Sequence, residues 1–142
     1  MSFAKSPIRT VLLPILLVLL FAPAALVADE PTPSNPKVIA ANFYADWCVS
    51  CKKLTPVFEA LTQKYANQPV LFVQFDQTDG TTRAQAADLA STLGVSDAYT
   101  AYRGAGFVLL LDGESHQEIG KFTVFQDINA MDAALRKLLE SR

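Results

Sequence analysis

The chain has 142 residues, and its 12 basic and 14 acidic residues give a formal net charge of −2. This mildly acidic balance argues against a nucleic-acid partner, which needs a basic face. Only two cysteines and one histidine occur, whereas a zinc site needs about four ligands. We therefore expect no metal, and the chemistry predicted below needs no other cofactor.

The first 28 residues have the order of charge and hydropathy that is typical of an export segment. Lys5 and Arg9 precede a wholly apolar run over residues 11–28, and small residues near its end offer cleavage sites. The run is also close to the ~18 residues that begin to span a bilayer. Residues 1–28 are thus predicted to be a cleaved signal peptide or an N-terminal membrane anchor. Either way, the rest of the chain is expected in the periplasm or an equivalent extracytoplasmic compartment, touching the membrane only through this segment.

A proline-rich stretch separates this segment from the remainder of the chain. Residues 29–37 contain Pro31, Pro33 and Pro36, a composition that favours an extended and semi-stiff tether. Residues 38–142 then provide enough length for one domain with one core.

Within the domain, strand and helix patterns alternate along the chain. Branched and aromatic residues predict strands over 37–44, 70–75, 107–111 and 117–125. Apolar residues at helical spacing predict helices over 48–65, 82–93 and 127–139, the last capped by Asp127. The same spacing predicts that Leu89 of the second helix and Ile128, Met131 and Leu135 of the third face the core. We expect residues 70–75 to be sheltered on both faces, a capping box from Thr82 to Gln85, and an irregular segment over 96–106. This order of elements predicts an α/β fold with a mixed central β-sheet flanked by helices.

The only two cysteines, Cys48 and Cys51, stand two residues apart where the first strand ends and the first helix begins. Two thiols at this spacing can close a disulfide and open it again, and the free N–H groups of a helix N-terminus favour the thiolate form of Cys48. A disulfide that closes so short a loop stabilises little, so redox chemistry is favoured over a structural staple. Lys52 either lowers the pKa of Cys48 through its charge or is simply solvated.

Other candidate site residues flank the cysteines or lie in the irregular segment. Asp46 is expected to cap the active-site helix, with a proton relay as the alternative. Tyr99, Tyr102 and Arg103 are expected either to form a partner-binding lip near Cys48 or to anchor their own loop.

Residues 38–139 resemble the thioredoxin superfamily. Residues 44–52, with the sequence YADWCVSCK, are especially similar to the C-terminal thioredoxin-like domain of the thiol:disulfide interchange protein DsbD. Pro56 stands where the family has the proline that kinks its active-site helix, and Gly120 matches a glycine of the family's last strand. The resemblance implies a thioredoxin-like fold in which the family's first strand and helix are missing.

The resemblance also implies a role for each residue of the motif. Cys48 would attack a partner disulfide, Cys51 would resolve the mixed disulfide, and Trp47 would form part of the partner-facing surface. The implied activity is a thiol–disulfide oxidoreductase that acts on proteins carrying disulfides or thiols. Similarity to the DsbD domain favours a reductant supplied by a membrane electron donor.

The chain departs from the family at two positions near the cysteines. No proline follows Pro69, so the family's cis-proline is absent and Gly106 aligns in its place, which is expected to leave a backbone N–H free and to loosen partner docking. Asn42 stands where many members keep a buried acid, so proton transfer would need water, Asp46 or another group. These departures favour a second hypothesis, a redox-inactive adaptor or chaperone that docks a partner through residues 96–106.

Overall fold

The structure is a computed structural model and describes residues 35–142. Its elements are β1 Val38–Tyr44, α1 Val49–Lys64, β2 Val70–Asp76, α2 Gly80–Thr92, α3 Ser96–Ala101, β3 Phe107–Asp112, β4 Glu118–Thr123 and α4 Ile128–Glu140. None of the helices in this range has the length and apolarity that a membrane crossing requires. The predicted export segment over 1–28 and most of the predicted tether lie outside the described residues, so both stay predictions.

The four strands form one sheet in the order β2-β1-β3-β4. β1 and β2 are parallel because α1 carries the chain back between them. β3 pairs antiparallel with β1, and β4 pairs antiparallel with β3. This mixed sheet with flanking helices confirms the predicted thioredoxin-like α/β fold. Residues 35–37, which precede β1 in the described part of the chain, form neither a helix nor a strand. The predicted absence of the family's first strand and helix concerns earlier residues as well and stays a prediction.

Hydrophobic cores lie on both faces of the sheet, and β1 contributes to both. Its side chains alternate between the faces: Val38 and Ala40 pack towards α1 and α4, whereas Ile39 and Ala41 pack towards α2 and α3. Six of the seven residues of β1 are buried. The C-terminal end of β1, from which the cysteine turn leaves the sheet, is therefore held from both sides.

The prediction for β2 is wrong because this strand lies at the edge of the sheet. Only Val70 and Phe75 are buried, and Gln74 is exposed. The apolar run of β2 is therefore only half-sheltered, and the strands that are sheltered on both faces are β1 and β3.

The helix that follows β2 begins two residues earlier than predicted. Asp79, not Thr82, is its N-cap: the Asp79 carboxylate accepts the backbone N–H groups of Thr81 and Thr82 at 2.8 and 2.9 Å. The Thr82 hydroxyl accepts the N–H of Asp79 at 3.0 Å. Thr82 is thus the second partner of a capping box that Asp79 opens. The hydrogen bonds from Thr82 and Thr81 lower the pKa of Asp79.

Two further local predictions need correction. The segment over 96–106 is not wholly irregular, because its first six residues form α3. Leu89 and Ile128, both predicted to face the core, lie on the exposed sides of their helices. The remaining predicted core positions of α4 include Met131 and Leu135, which are buried as expected.

A nearly buried carboxylate that the sequence reading missed joins α1 to α4. Asp132 accepts a hydrogen bond from the Tyr65 hydroxyl at 2.8 Å and forms ion pairs with Lys64 at 2.7 Å and Arg136 at 3.3 Å. The hydrogen bonds from Lys64 and then Tyr65 lower the pKa of Asp132. Burial first, and then the hydrogen bond with Asp132, raises the pKa of Tyr65 to about 12.

We expect Asp132→Asn to destabilise the fold at neutral pH and to weaken its acid dependence. Because the folded pKa of Asp132 lies below its unfolded value of about 3.9, its carboxylate stabilises the fold above that pH. This contribution is lost as the pH falls through the folded pKa. Urea midpoints followed by circular dichroism from pH 7 to pH 2 measure the effect. Asp88→Asn, at an exposed position of α2, is the control, and identical profiles for both variants would contradict the prediction.

Candidate active site

Cys48 and Cys51 form a disulfide at the N-terminus of α1, with their Cα atoms 5.2 Å apart. Cys48 has extended backbone angles and is the N-cap residue of the helix, whereas Cys51 lies within its first turn. The backbone N–H of Cys51 donates to the Cys48 sulfur at 3.1 Å. The sulfur therefore occupies the place of a capping side chain, where helix N–H groups stabilise a thiolate once the disulfide is reduced.

The two sulfur-bearing residues differ in their access to solvent. Cys51 is 1% exposed and Cys48 is 8% exposed. Both belong to a small apolar cluster with Ala45. On the outer side of this cluster Trp47 is 62% exposed and Val49 also faces solvent. An incoming disulfide thus meets Cys48 before Cys51.

The turn that precedes the cysteines is fastened to the loop after β2. The N–H of Asp46 donates to the Thr78 hydroxyl at 3.0 Å, and the Trp47 indole N–H donates to the Thr78 carbonyl at 3.1 Å. The Asp46 carboxylate accepts the Tyr44 hydroxyl at 2.8 Å, which raises the pKa of Tyr44. Asp46 does not cap α1, so the capping prediction is wrong, because the Cys48 side chain fills that position.

Gly106 borders the disulfide, as its alignment with the family's proline position predicts. A Cβ atom at Gly106 would lie 3.3 Å from the Cys48 sulfur and 3.0 Å from the Ser50 Cβ. Its φ of +104° is one that side chains rarely adopt. Its N–H donates to the Phe43 carbonyl at 2.8 Å, so the expectation of a free N–H is wrong. No peptide bond between residues 35 and 142 is cis.

Asn42 is buried in β1, with 2% of its surface exposed. Its Nδ2 donates to the Gln74 side chain at 3.2 Å, and its Oδ1 has no hydrogen-bond partner among the described residues. The Cys51 sulfur lies 3.7 Å from the Phe43 carbonyl oxygen. That backbone oxygen is thus available to the Cys51 thiol in the reduced protein, whereas Asn42 cannot take up a proton.

Tyr99 and Tyr102 pack against the second core. Both rings contact Phe43, with centroids 6.0 and 6.2 Å apart. The Tyr99 hydroxyl donates to the Arg83 carbonyl at 3.1 Å, and the Tyr102 hydroxyl donates to the Glu118 carboxylate. These contacts anchor the loop, which is one of the two alternatives that the sequence left open.

The remaining predicted site residues lie around the same end of the molecule. Lys52 is exposed in the first turn of α1, and Pro56 lies in the interior of that helix. Arg103 is exposed in the loop between α3 and β3. None of the ion pairs formed within residues 35–142 involves Lys52 or Arg103.

Sequence reasoning missed Thr78 and Phe43, which hold the site together through backbone and hydroxyl groups. Thr78 fixes the turn from more than 30 residues away, and the Phe43 carbonyl binds the N–H of Gly106 across the sheet. Neither contact leaves a signal in residue spacing, because backbone carbonyls are common to all residues and the partners are distant in sequence.

Comparison with known proteins shows which family model matches the part of the chain that carries this site. The family model described as Thioredoxin matches residues 29–93, which include both cysteines. This part of the chain is therefore similar to thioredoxins. The matched range begins within the predicted tether and ends at the end of α2, so the thioredoxin match covers β1, α1, β2 and α2.

Curated proteins that are similar to this chain include both thioredoxins and disulfide isomerases. The thioredoxin of Borreliella burgdorferi is 43% identical over 54 residues, which cover 38% of this chain and 40% of the relative. Protein disulfide-isomerase 1 of Caenorhabditis elegans is 42% identical over 51 residues, which cover 35% of this chain and 10% of the relative. Protein disulfide-isomerase A2 of Pongo abelii is 32% identical over 92 residues, which cover 64% of this chain and 16% of the relative. The chain spans less than half the length of each of these relatives.

Solved structures of thioredoxins overlap with most of this chain. The thioredoxin of Malassezia sympodialis shares 23% identity and a TM-score of 0.48, covering 72% of this chain and 78% of its own. The mitochondrial thioredoxin 3 of Saccharomyces cerevisiae is 23% identical and superposes with a TM-score of 0.46. The match covers 72% of this chain and 79% of the yeast protein's chain.

Proposed function

We propose that this protein is a thiol–disulfide oxidoreductase that acts on disulfides of partner proteins. The observation that carries the proposal is the Cys48–Cys51 pair at the N-terminus of α1, with one sulfur within reach of a partner and the other buried behind it. The thioredoxin and disulfide-isomerase relatives support the same activity. The two cysteine side chains are sufficient for the chemistry, without a metal or cofactor.

The reaction proceeds by two thiol–disulfide exchanges. In the reduced protein the Cys48 thiolate attacks one sulfur of the partner disulfide, which forms a mixed disulfide and releases the first partner thiolate. Cys51 then loses its proton and attacks the Cys48 sulfur. This step closes the Cys48–Cys51 disulfide and releases the second partner thiolate. Two electrons have passed from the protein dithiol to the partner, and the reverse sequence oxidises a partner dithiol.

We further propose that the protein works outside the cytoplasm as a reductant. The basic start and apolar run of residues 1–28 support export, with the segment either cleaved or retained as an anchor. The similarity of residues 44–52 to the DsbD domain supports a membrane electron donor that returns the disulfide to the dithiol. Gly106 and Trp47, which flank Cys48, form the part of the surface that a partner disulfide approaches.

A redox titration of the Cys48–Cys51 couple tests the activity and its direction. We expect a reversible two-electron couple with a midpoint near the thioredoxin value of ~−270 mV, as a reductant requires. A midpoint near ~−120 mV would make the protein an oxidant. Absence of a reversible couple, together with failure to reduce insulin disulfides, would leave the adaptor hypothesis.

A further inference from the structure

A cleft of about 250 Å³ opens beside the candidate active site and carries two arginines. We call it the arginine cleft. Arg83 of α2 and Arg103 of the loop after α3 contribute to its walls, together with Gln77, Tyr99 and Tyr102. None of the residues that line it is acidic.

The inner wall of the arginine cleft is fixed by hydrogen bonds. The Tyr99 hydroxyl accepts the Gln77 side-chain N–H at 3.2 Å and donates to the Arg83 carbonyl at 3.1 Å. The Arg83 guanidinium donates to the Gln77 carbonyl at 3.3 Å. This bond uses one of its five N–H groups, so Arg83 is held at the cleft with donors remaining for a ligand.

Among the residues that the structure describes, no carboxylate forms an ion pair with either guanidinium group. Within residues 35–142 the ion pairs use other cations, and neither Arg83 nor Arg103 takes part. Of the neighbouring acids, Asp79 caps α2 and lies within electrostatic range of Arg83 without forming an ion pair with it, and Glu118 accepts the Tyr102 hydroxyl. Paired N–H groups on a planar guanidinium match the two oxygens of a carboxylate.

The arginine cleft and Cys48 share the same two supporting segments. On one side, the N–H of Gln77 donates to the Tyr44 carbonyl at 2.6 Å, four residues before Cys48. On the other side, Arg103 precedes Gly106 by three residues, and Gly106 borders the Cys48 sulfur. Since three residues span at most about 10 Å, the Arg103 backbone at the cleft lies within about that distance of Gly106.

We propose that the arginine cleft binds an acidic side chain of the partner protein while Cys48 attacks the partner's disulfide. This inference rests on the proposed function and deepens it. An extended chain advances ~3.3 Å per residue, so the acidic residue lies about three positions from the partner's reactive cysteine. The cleft thereby selects among disulfides that the Cys48 sulfur alone cannot distinguish.

The test uses two peptide disulfides that differ only in one residue type. Each peptide carries one cysteine in a symmetric disulfide, with Glu or Gln three positions away on both sides. With the reduced protein at low salt, we expect the Glu peptide to be reduced about tenfold faster, because a charge-assisted hydrogen bond is being formed. The preference is expected to shrink at high salt.

Variants assign the preference to the cleft. The double variant Arg83→Gln/Arg103→Gln is expected to reduce both peptides at the slower rate. Lys137→Gln removes an exposed charge of α4 and is expected to keep the preference. Equal rates for the two peptides in the unmodified protein, or a preference that survives in the double variant, would overturn the inference.

A binding measurement separates this inference from the proposed function. In the variant Cys48→Ser/Cys51→Ser, NMR titration with the two peptides reports binding without redox chemistry. If the reduced protein reacts with neither peptide, the proposed function fails. The titration then shows independently whether the arginine cleft binds the acidic peptide. Shifts of the Arg83 and Arg103 amides with the Glu peptide alone support the cleft, and their absence overturns it.

Discussion

The Cys51→Ser variant is expected to accumulate covalent complexes with partner proteins, whereas Cys48→Ser is expected to form none. Cys48 is the more accessible sulfur and caps α1, so it makes the first bond to a partner. Without Cys51 the mixed disulfide has no internal nucleophile to release it. Both variants should therefore reduce insulin at no more than the background rate of the supplied thiol.

Non-reducing gel electrophoresis and mass spectrometry of the trapped species measure this outcome. Ser50→Ala is the matched control because it changes one of the two residues between the cysteines and retains both sulfurs. It is expected to turn over insulin and to trap nothing. Trapping by Cys48→Ser in place of Cys51→Ser would reverse the two roles, and complexes that form without a disulfide in both variants would indicate an adaptor.

The position of the site in the fold could be predicted because its determinants are local in sequence. The apolar strand β1, the cysteine spacing and the helical stripe after it lie within about thirty residues, and their burial and start points follow from residue type. Gly106 was placed opposite Cys48 only through its alignment with the family's proline position. Its own residue type did not reveal the hydrogen bond that its N–H forms with Phe43.

The helix caps were predicted wrongly because two nearby residues can each fill the N-cap position. Asp79 and Thr82 are both good N-cap residues, and only the path of the loop after β2 decides which one opens the helix. Asp46 and Cys48 compete in the same way at α1, where a cysteine sulfur took the capping position that a carboxylate usually fills. The burial of β2 depended on strand order, which a single strand's composition does not contain.

Gly106→Ala is expected to destabilise the protein and to slow the reaction of Cys48. A φ of +104° costs a residue with a side chain about 1–3 kcal/mol. The added methyl group would also lie 3.0 Å from the Ser50 Cβ and 3.3 Å from the Cys48 sulfur, so the first turn of α1 or the Gly106 loop has to move. Urea midpoints and the rate of exchange with a small soluble disulfide measure the two effects separately.

Gly104→Ala is the matched control for the cost of placing a side chain on a backbone with positive φ. Gly104 has a similar φ of +95°, but a Cβ there has no atom within 4 Å. It is expected to lose stability to a similar extent and to keep the exchange rate of Cys48 with the small disulfide. Equal exchange rates for the two alanine variants would show that contact of residue 106 with Cys48 does not influence the reaction.

Restoring the family's proline at this position is expected to be more harmful than alanine. Proline fixes φ near −65°, far from +104°, and it has no N–H to donate to the Phe43 carbonyl. Gly106→Pro should therefore lower the urea midpoint further than Gly106→Ala does, since strain and a lost hydrogen bond combine. A Gly106→Pro variant as stable as the unmodified protein would mean that the loop before β3 readily takes up the family's conformation. The glycine would then not be required by the approach of this loop to Cys48.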